Sequence, residues 1–587
     1  MLAAAAESVL LGEDLPRAID TSEGRRAHRG HAAVNARGPS TALRWFTCVA
    51  AAYGLVGAVL SLRFGYLLGD ALSRTYAAQA VLHSRDPHVS AIGFVFTPLT
   101  ALLQLPVVAF SDLLPVITRW NLSGIAVSAV FMAGAVTTVR GICLDRGCGP
   151  VQTTALTLVF AVNPMIVFYG ANGMSEAVFL FFLCWTARRL LRWISTDDVH
   201  DLLVAGIALA LAYLTRYDAV AAIAAAAFLV FGVTLWRRGR SHWREMRRQA
   251  ALDAVLVAGP GLIAFLVWAA ISWIITGQAF AQFSSTYGNA AILAQSGGPT
   301  GDPIGNAAYV ATAVLALGPA IPLLLPTVAG LSWRRRDLEF LVAPALFGAV
   351  LAFQALTYIG GSTFGFLRFF IAAIPLALVG CIQVLSARGA VPSRRPGTFA
   401  HSRRRAEAPT DRTRFRRIVA TGTVILCVGS LPVTTYVLLQ PSLSPQQYAL
   451  GQLLSRQRSD EAQRIIASFS TERGLADNLD AQDLPDGSVL VDSVYGFAIV
   501  AASRHPKQFV VPSDEDFTTV LNDPAEAGVR LMLTVPNSGR GESDALNRRY
   551  PTIWENGAEV GSLVVEVPND GADQPVWRIY RVLGVAD

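Results

Sequence analysis

The feature that most constrains this chain is a series of apolar runs, each about as long as a transmembrane helix, that recur from Leu43 to Leu439. A helix needs about 20 mostly apolar residues to cross the hydrocarbon core of a bilayer. Of the 587 residues, 53% are hydrophobic and only 15% are charged, against roughly 25% charged residues in soluble domains. The sequence therefore predicts a polytopic α-helical membrane protein.

Arginine clusters predict which ends of the spans face the cytoplasm, because loops on that side carry an excess of basic residues. The clusters lie at 25–44, 140–146, 188–192, 237–248, 334–336 and 394–417. Between the first two, three apolar stretches occur, at 44–64, 95–117 and 122–139, although an odd number cannot return the chain to its starting side. Prolines at 98, 106 and 115 interrupt the middle stretch, so we expect it to lie along or dip into the outer leaflet. About 11 spans follow from this count, with a long first external loop at 65–121 that carries an amphipathic helix.

The chain divides into three parts by composition. Residues 1–42 are predicted to be a disordered cytoplasmic leader, and residues 43–440 to be the transmembrane domain. Residues 441–587 carry 12 Arg and Lys against 21 Asp and Glu, and their short β-rich runs alternate with helical stretches, the first near 446–470. We expect this part to be an extracytoplasmic α/β domain with a small mixed sheet.

Two arginines lie where the topology rule does not expect basic residues. Arg216 and Arg368 fall at external ends of spans, where a buried guanidinium needs a partner. A lipid phosphate would supply one, because a guanidinium matches phosphate oxygens in a bidentate geometry. Asp218 could equally neutralise Arg216. Both arginines are candidate phosphate-binding residues.

The start of the first external loop, "YLLGDALSRTYAAQAVLHSRDPH" (66–88), carries further candidates. Asp70 stands at a helix entry, where an aspartate often caps the helix. Arg74 lies one turn further on the same face, as a simple ion-pair partner or a phosphate contact. Asp86 and His88 end the helix, in a solvated turn or as substrate-binding residues.

Glu176 lies at the predicted outer start of the fourth span. Its carboxylate could hold hydroxyl groups of a substrate, or it could stabilise the first turn of the helix. Tyr169 and Asn172 are lesser substrate-binding candidates in the same turn. The glycine-rich loop 277–306 is long for a connector, and it is either a lid over a substrate or flexible chain.

Four segments occur in an order that resembles a known superfamily. They are "FTPLTALL" (96–103), "NPMIVFYGANGMSEAVFLFFL" (163–183), "ALALAYLTRYDAV" (208–220) and "FGFLRFFIAAIPLALV" (364–379). With an acidic residue just after the first span, they resemble the C-type glycosyltransferases that use polyprenyl-phosphate sugars, including the protein O-mannosyltransferases and the aminoarabinose transferases of lipid A.

The resemblance implies an inverting transfer of a sugar from a polyprenyl-phosphate donor to an acceptor hydroxyl at the external face, with Asp70 as the catalytic base. The expected location is a bacterial plasma membrane. Mannose or arabinofuranose is the expected sugar. The acceptor would be a glycan, a protein or a lipid. The sequence lacks a second acidic residue beside Asp70, so no metal ligand is assigned and a divalent metal stays possible.

Two other functions fit a membrane protein with polar residues at the ends of its spans. A transporter or flippase of a lipid-linked sugar would show internal repeats and broken helices near the midplane. A scaffold that presents the external domain would leave Asp70, Arg216 and Arg368 unexplained. No nucleic-acid partner is expected, because the basic residues lie in separate short loops. The glycosyltransferase hypothesis requires these three residues to lie around one site.

Overall fold

The computed structural model describes residues 38–584 except 239–242, 296–301, 336–337, 387–410 and 456. Residues 1–37 of the predicted leader therefore lie outside the described residues. The described chain forms a bundle of long helices followed by an α/β domain.

The helices of the membrane part are α1 Gly38–Ala58, α2 Gly69–His83, α3 Leu99–Leu102, α4 Leu105–Val108, α5 Val116–Arg119, α6 Leu122–Asp145, α7 Pro150–Ala161, α8 Pro164–Gly170, α9 Glu176–Thr196, α10 Val199–Tyr213, α11 Ala219–Arg238, α12 Trp243–Thr276, α13 Ala281–Ser284, α14 Asn289–Gln295, α15 Pro303–Leu317, α16 Ile321–Arg335, α17 Val342–Ile359, α18 Ala373–Leu385 and α19 Asp411–Leu438. A π turn, Val59–Arg63, extends α1, and a 3₁₀ turn, Leu367–Phe370, leads into α18. The helices α6 and α18 are the most deeply buried spans, whereas α1 and α12 lie at the edge of the bundle.

Seven helices among the described residues are long and apolar enough to cross a membrane. The number is nine if two bent pairs each count as one span: α7 with α8, bent by 63°, and α15 with α16, bent by 73°. The remaining two of the 11 expected spans correspond to α9 and α10. With 15 residues, α10 is about 22 Å long, shorter than the ~30 Å hydrocarbon core. The structure thus supports seven to nine spans and not the full expected number.

The stretch 95–117 contains no spanning helix, because its prolines limit α3 and α4 to one turn each.

The neighbouring helix α2 differs from the expectation of a helix lying at the membrane surface. Its residues Leu72 and Tyr76 are buried in a core that includes Phe469 and Phe497 of the α/β domain. The helix is therefore enclosed between the membrane part and the C-terminal domain.

The C-terminal domain contains the helices α20 Asp460–Ile466, α21 Ser470–Asp480, α22 Ser493–Ala502, α23 Phe517–Asn522, α24 Ala545–Arg549 and α25 Ile553–Asn556. Its strands are β1 Val489–Val491, β2 Phe509–Val510, β3 Leu531–Thr534, β4 Gly561–Val567 and β5 Trp577–Val582. The strand order is β2-β1-β3-β5-β4.

The sheet is mixed, as the sequence predicts. Strand β1 pairs in parallel with β2 and β3, whereas β5 is antiparallel to β3 and β4. Cores on both faces bury β1 and β3, which explains why these strands read as continuous apolar runs. The single helix expected near 446–470 is wrong in detail, since the chain there forms a 3₁₀ turn, Gln447–Gln452, and the separate helix α20.

Candidate active site

Helix α2 places Asp70 one residue after the helix begins at Gly69. Leu68 precedes the helix, and within the described residues no side-chain hydrogen bond caps its first turn. Asp70 therefore does not act as the helix cap. Its Oδ2 instead accepts a hydrogen bond from Nη2 of Arg368 at 2.7 Å, while 42% of the Asp70 side chain stays exposed.

Arg368 connects this exposed carboxylate to a buried one. It lies in the 3₁₀ turn before α18, and its guanidinium carbon stands 4.2 Å from the ring centroid of Phe366. Its Nε lies 3.6 Å from Oε1 of Glu176, the first residue of α9. One guanidinium thus bridges two carboxylates from distant parts of the sequence.

A second arginine extends this arrangement. Nη1 of Arg216 donates to the same Glu176 oxygen at 2.8 Å, and its Nε contacts both oxygens of Asp218 at 3.2 and 3.3 Å. Gln354 on α17 donates to Asp218 Oδ2 at 2.9 Å. The sequence left open whether Asp218 neutralises Arg216, and it does so together with Glu176. We call the linked residues Asp70, Arg368, Glu176, Arg216 and Asp218 the charge chain.

A tight turn before α9 fixes Glu176 relative to Asp70. Asn121, with φ 55°, donates from Nδ2 to the Asn172 carbonyl at 3.1 Å and accepts a hydrogen bond from the Thr75 hydroxyl at 2.6 Å. Gly173 has φ 81°, and a Cβ there would lie 2.5 Å from Asn121 Nδ2, so the position requires glycine. Because Thr75 lies one turn after Asp70, this contact holds α2 against the start of α9.

A family model for dolichyl-phosphate-mannose-protein mannosyltransferases matches residues 120–268. This segment includes Glu176, Arg216 and Asp218, while Asp70 and Arg368 lie outside it. The matched segment is about a quarter of the chain, and its similarity agrees with the predicted resemblance to the C-type glycosyltransferases.

Two solved structures from Archaeoglobus fulgidus are similar to this chain at low sequence identity. One is an archaeal oligosaccharyltransferase in complex with an inhibitory peptide and a dolichol-phosphate, at 12% identity over 90% of this chain and 74% of that chain, with a TM-score of 0.38. The other is an oligosaccharyltransferase complex with zinc and sulfate, at 11% identity over 90% of this chain and 72% of that chain, with a TM-score of 0.35. The comparison with curated proteins gives no match.

Arg74 is a buried cation outside the charge chain. Its Nη1 donates to the backbone carbonyl of Asp70 at 2.6 Å, and its guanidinium carbon lies 4.1 Å from the Phe96 ring centroid. Among the described residues, no carboxylate oxygen lies within 4 Å of it. The simple side-chain ion pair with Asp70 is therefore not formed. Burial lowers the pKa of Arg74 despite the nearby carboxylates, so an additional anion would be favourable beside it.

The electrostatic environment keeps Asp70 ionised. Burial acts to raise the pKa of its carboxyl, but the guanidinium groups of Arg368 and Arg74 outweigh that effect and bring the pKa below its usual value. Burial likewise acts to lower the pKa of Arg216, and the carboxylates of Asp218 and Glu176 raise it overall. Asp70 is therefore ionised and Arg216 is protonated at neutral pH.

Tyr169 lies near the charge chain together with a residue that the sequence did not single out. Gln447, just after the last span, donates from Nε2 to the Tyr169 hydroxyl at 3.0 Å. The Tyr66 hydroxyl donates to the backbone carbonyl of Gln446 at 2.9 Å. A neutral glutamine in a polar junction gives no sequence signal of its own, and only the packing of this segment against α8 reveals it.

Several buried polar atoms around the charge chain make no hydrogen bond to another described residue. They are Asn172 Nδ2, Ser175 Oγ, Glu176 Oε2 and Arg368 Nε. Buried polar groups are normally satisfied by protein or by ordered water. Water or a polar substrate would complete the hydrogen bonding of these four atoms.

Asp86 and His88 do not join this cluster. The 15 residues of α2 span about 22 Å, which separates these two from Asp70. Asp86 Oδ2 accepts a hydrogen bond from the Glu515 backbone at 2.9 Å, and the His88 ring contacts the Asp86 carbonyl at 2.7 Å. In the structure they lie where α2 meets the C-terminal domain.

The loop 277–306, described except at 296–301, contacts both parts of the molecule. The Tyr287 hydroxyl donates to Asp492 at 2.8 Å, and the Ser543 hydroxyl donates to the Thr286 carbonyl at 2.8 Å. Asn289 donates to the hydroxyl of Tyr217, the residue after Arg216, at 3.2 Å. The loop thus passes beside the charge chain, and its role as a lid stays a prediction.

In the described part of the chain, no three His, Cys, Asp or Glu side chains are grouped so as to hold a metal ion. Within the charge chain, each carboxylate already contacts a guanidinium. The arrangement can therefore orient charges and accept a proton at Asp70. The possible role of a divalent metal stays untested.

Proposed function

We propose that the protein is an inverting glycosyltransferase that moves a sugar from a polyprenyl-phosphate donor to an acceptor hydroxyl at the external face of a bacterial plasma membrane. The observation that carries the proposal is the contact between Asp70 and Arg368 within the charge chain. It joins a partly exposed carboxylate to buried guanidinium groups, which are the two kinds of group that this reaction needs.

Asp70 is proposed to take the proton of the acceptor hydroxyl. The acceptor oxygen then bonds to the anomeric carbon while the bond from that carbon to the phosphate oxygen breaks. The electron pair leaves with the polyprenyl phosphate. Attack from the face opposite the phosphate inverts the configuration of the sugar.

Arg74 is proposed to contact the donor phosphate, because its guanidinium is buried and no carboxylate lies within 4 Å of it among the described residues. Arg368 and Arg216 are proposed to orient the site and stabilise the leaving phosphate. A phosphate close to these guanidinium groups would offset their effect on Asp70 and raise the pKa of its carboxyl. Donor binding would thereby make Asp70 a better proton acceptor.

Glu176, Tyr169 and Asn172 are proposed to line the substrate, because unsatisfied polar atoms of two of them lie beside the charge chain. Mannose and arabinofuranose are the proposed sugars. The acceptor is proposed to be a glycan, a protein or a lipid of the cell envelope.

The test is transfer by the purified protein in nanodiscs from a panel of labelled polyprenyl-phosphate sugars. For the donor that supports transfer, Asp70→Asn should lower the turnover number by roughly 10²- to 10⁴-fold, the usual contribution of a general base. Asp112→Asn removes a carboxylate from the same loop, where it contacts only His83 among the described residues, and should leave the rate unchanged. Full activity of Asp70→Asn would exclude Asp70 as the base.

One observation favours the alternative of a transporter or flippase for a lipid-linked sugar. The breaks between α7 and α8 and between α15 and α16 meet at a small cavity lined by Asn163, Pro319 and Ala320. Broken helices inside a bundle are typical of transporters. Reconstituted vesicles distinguish the two functions, because a flippase moves the labelled lipid between leaflets without releasing free polyprenyl phosphate.

A further inference from the structure

Arg540 brings a guanidinium from the C-terminal domain toward the charge chain. It lies in the 3₁₀ turn Gly539–Ser543, which follows β3. Its Nη2 donates to the Val494 carbonyl at 3.4 Å, and its guanidinium carbon lies 5.2 Å from the ring centroid of Tyr495. Both contacts are to the first turn of α22, so the side chain has a defined position.

Helix α22 packs against the end of α2 that carries Asp70. The rings of Phe469 and Phe497 meet edge to face at 5.9 Å, and both belong to the same buried core as Leu72 of α2. Phe469 Cζ also lies 3.5 Å from the point where a Cβ on Gly69 would stand. Because Gly69 precedes Asp70, these contacts place Phe497 of α22 near the start of α2. The charge of Arg540 is accordingly one of those that lower the pKa of Asp70.

The guanidinium of Arg540 differs from those of the charge chain in its pairing. Arg368 and Arg216 each contact two carboxylates. Among the described residues, Arg540 has no carboxylate oxygen within 4 Å, and it is only half-buried. A cation that is held in place, accessible and not neutralised is suited to an anionic ligand.

We infer that Arg540, supported by Tyr495, binds an anionic group of a substrate beside Asp70. This inference rests on the proposed function, which it extends to the C-terminal domain. The shared chemistry is a phosphate or a carboxylate. Its source is either the phosphate of the lipid donor or an acidic group on the acceptor.

The experiment measures binding to the full-length protein in nanodiscs, with decaprenyl phosphate as the lipid probe and methyl glucuronide as the acidic sugar probe. The second probe is titrated after saturation with the first. The variant is Arg540→Gln. The matched control is Arg549→Gln, which removes one charge from the same domain, at an exposed arginine that donates to Asn522.

A hydrogen bond to a charged group contributes enough that its loss should weaken binding roughly tenfold to a hundredfold. Weaker binding of decaprenyl phosphate by Arg540→Gln, with the glucuronide unchanged, supports the donor phosphate as the source. The reverse result supports an acidic acceptor. Binding of both probes by Arg540→Gln with wild-type affinity overturns the inference.

The outcomes separate this inference from the proposed function. A wild type that binds no decaprenyl phosphate contradicts the proposed donor, and the glucuronide titration then still decides the role of Arg540. A wild type that binds neither probe contradicts both. If Arg549→Gln weakens binding as much as Arg540→Gln does, the loss reflects the net charge of the domain. That result would overturn the inference that Arg540 itself binds the anionic group.

Discussion

Replacement of Glu176 by Gln tests the most buried carboxylate of the charge chain. Its side chain is 1% exposed, and its Oε1 contacts Arg216 at 2.8 Å and Arg368 at 3.6 Å. Removing one partner of a buried ion pair costs about 3–5 kcal/mol, because the remaining charge stays buried without compensation. Glutamine keeps an oxygen that can accept from Arg216, and Asp218 and Asp70 still contact the two arginines, so we expect about 3 kcal/mol, the lower end of this range.

The assay is thermal unfolding of the purified protein in nanodiscs at a fixed scan rate, followed by intrinsic fluorescence. Glu176→Gln should lower the midpoint by several degrees. A second variant, Glu176→Gln with Arg216→Gln, should lose less stability than the two single variants lose together, because both single changes weaken the same contact, as a double-mutant cycle measures.

Glu472 provides the matched control, since it is equally buried but accepts hydrogen bonds from the neutral donors Trp577 and Asn569. Burial raises the pKa of Glu472, which means that its ionised form is disfavoured in the folded protein. Glu472→Gln should therefore leave the midpoint unchanged or raise it. Equal midpoints for Glu176→Gln and wild type would refute the view that Glu176 neutralises two buried arginines.

Three further substitutions test contacts of the C-terminal domain. Tyr287→Phe removes the hydroxyl that donates to Asp492 at 2.8 Å, so the loop 277–306 should be cleaved faster in limited proteolysis, and an unchanged rate would contradict its docking. Asp544→Asn retains the helix cap but removes a carboxyl whose pKa burial and Asp492 raise well above its usual value. In the wild type, the folded state holds a proton on Asp544 that the unfolded chain releases near pH 3.9, so the wild type loses stability as the pH rises. The variant lacks this carboxyl, and between pH 5 and pH 8 it should lose less stability than wild type in unfolding scans. Arg85→Gln breaks an ion pair with Asp514, whose pKa burial raises to about 6, so its cost should be larger at pH 8 than at pH 5, and equal costs would argue against the pair.

Local sequence patterns predict much of the fold because they depend on neighbouring residues. The apolar runs predict the helices of the membrane part, and the alternation after residue 441 predicts a mixed sheet whose strands the structure confirms. The number of spans is predicted less well, because hydropathy alone shows neither where a helix bends, as α7–α8 and α15–α16 do, nor that α10 is shorter than the hydrocarbon core. The enclosed position of α2 depends on partners almost 400 residues away, which periodicity cannot reveal.

The candidate site likewise contains residues that local sequence patterns predict and residues that only long-range packing reveals. Arg216 and Arg368 stand out in the sequence because they violate the charge bias of the loops, and the structure brings both to Glu176. Gln447 and Arg540 stood among ordinary polar residues and gave no such signal. Their positions depend on how the C-terminal domain packs on the bundle, and no short sequence motif predicts that packing.

The long sequence separations within the charge chain set an order for its assembly. Glu176 precedes Arg216 by 40 residues, whereas Asp70 precedes Arg368 by 298. At a synthesis rate of about 5–20 residues per second, roughly 2–8 s separate the synthesis of Glu176 and Arg216, and roughly 15–60 s separate that of Asp70 and Arg368. The carboxylate of Asp70 must therefore stay hydrated while most of the bundle is inserted. The charge chain is complete only after α18, one of the last spans, has been synthesised and packed.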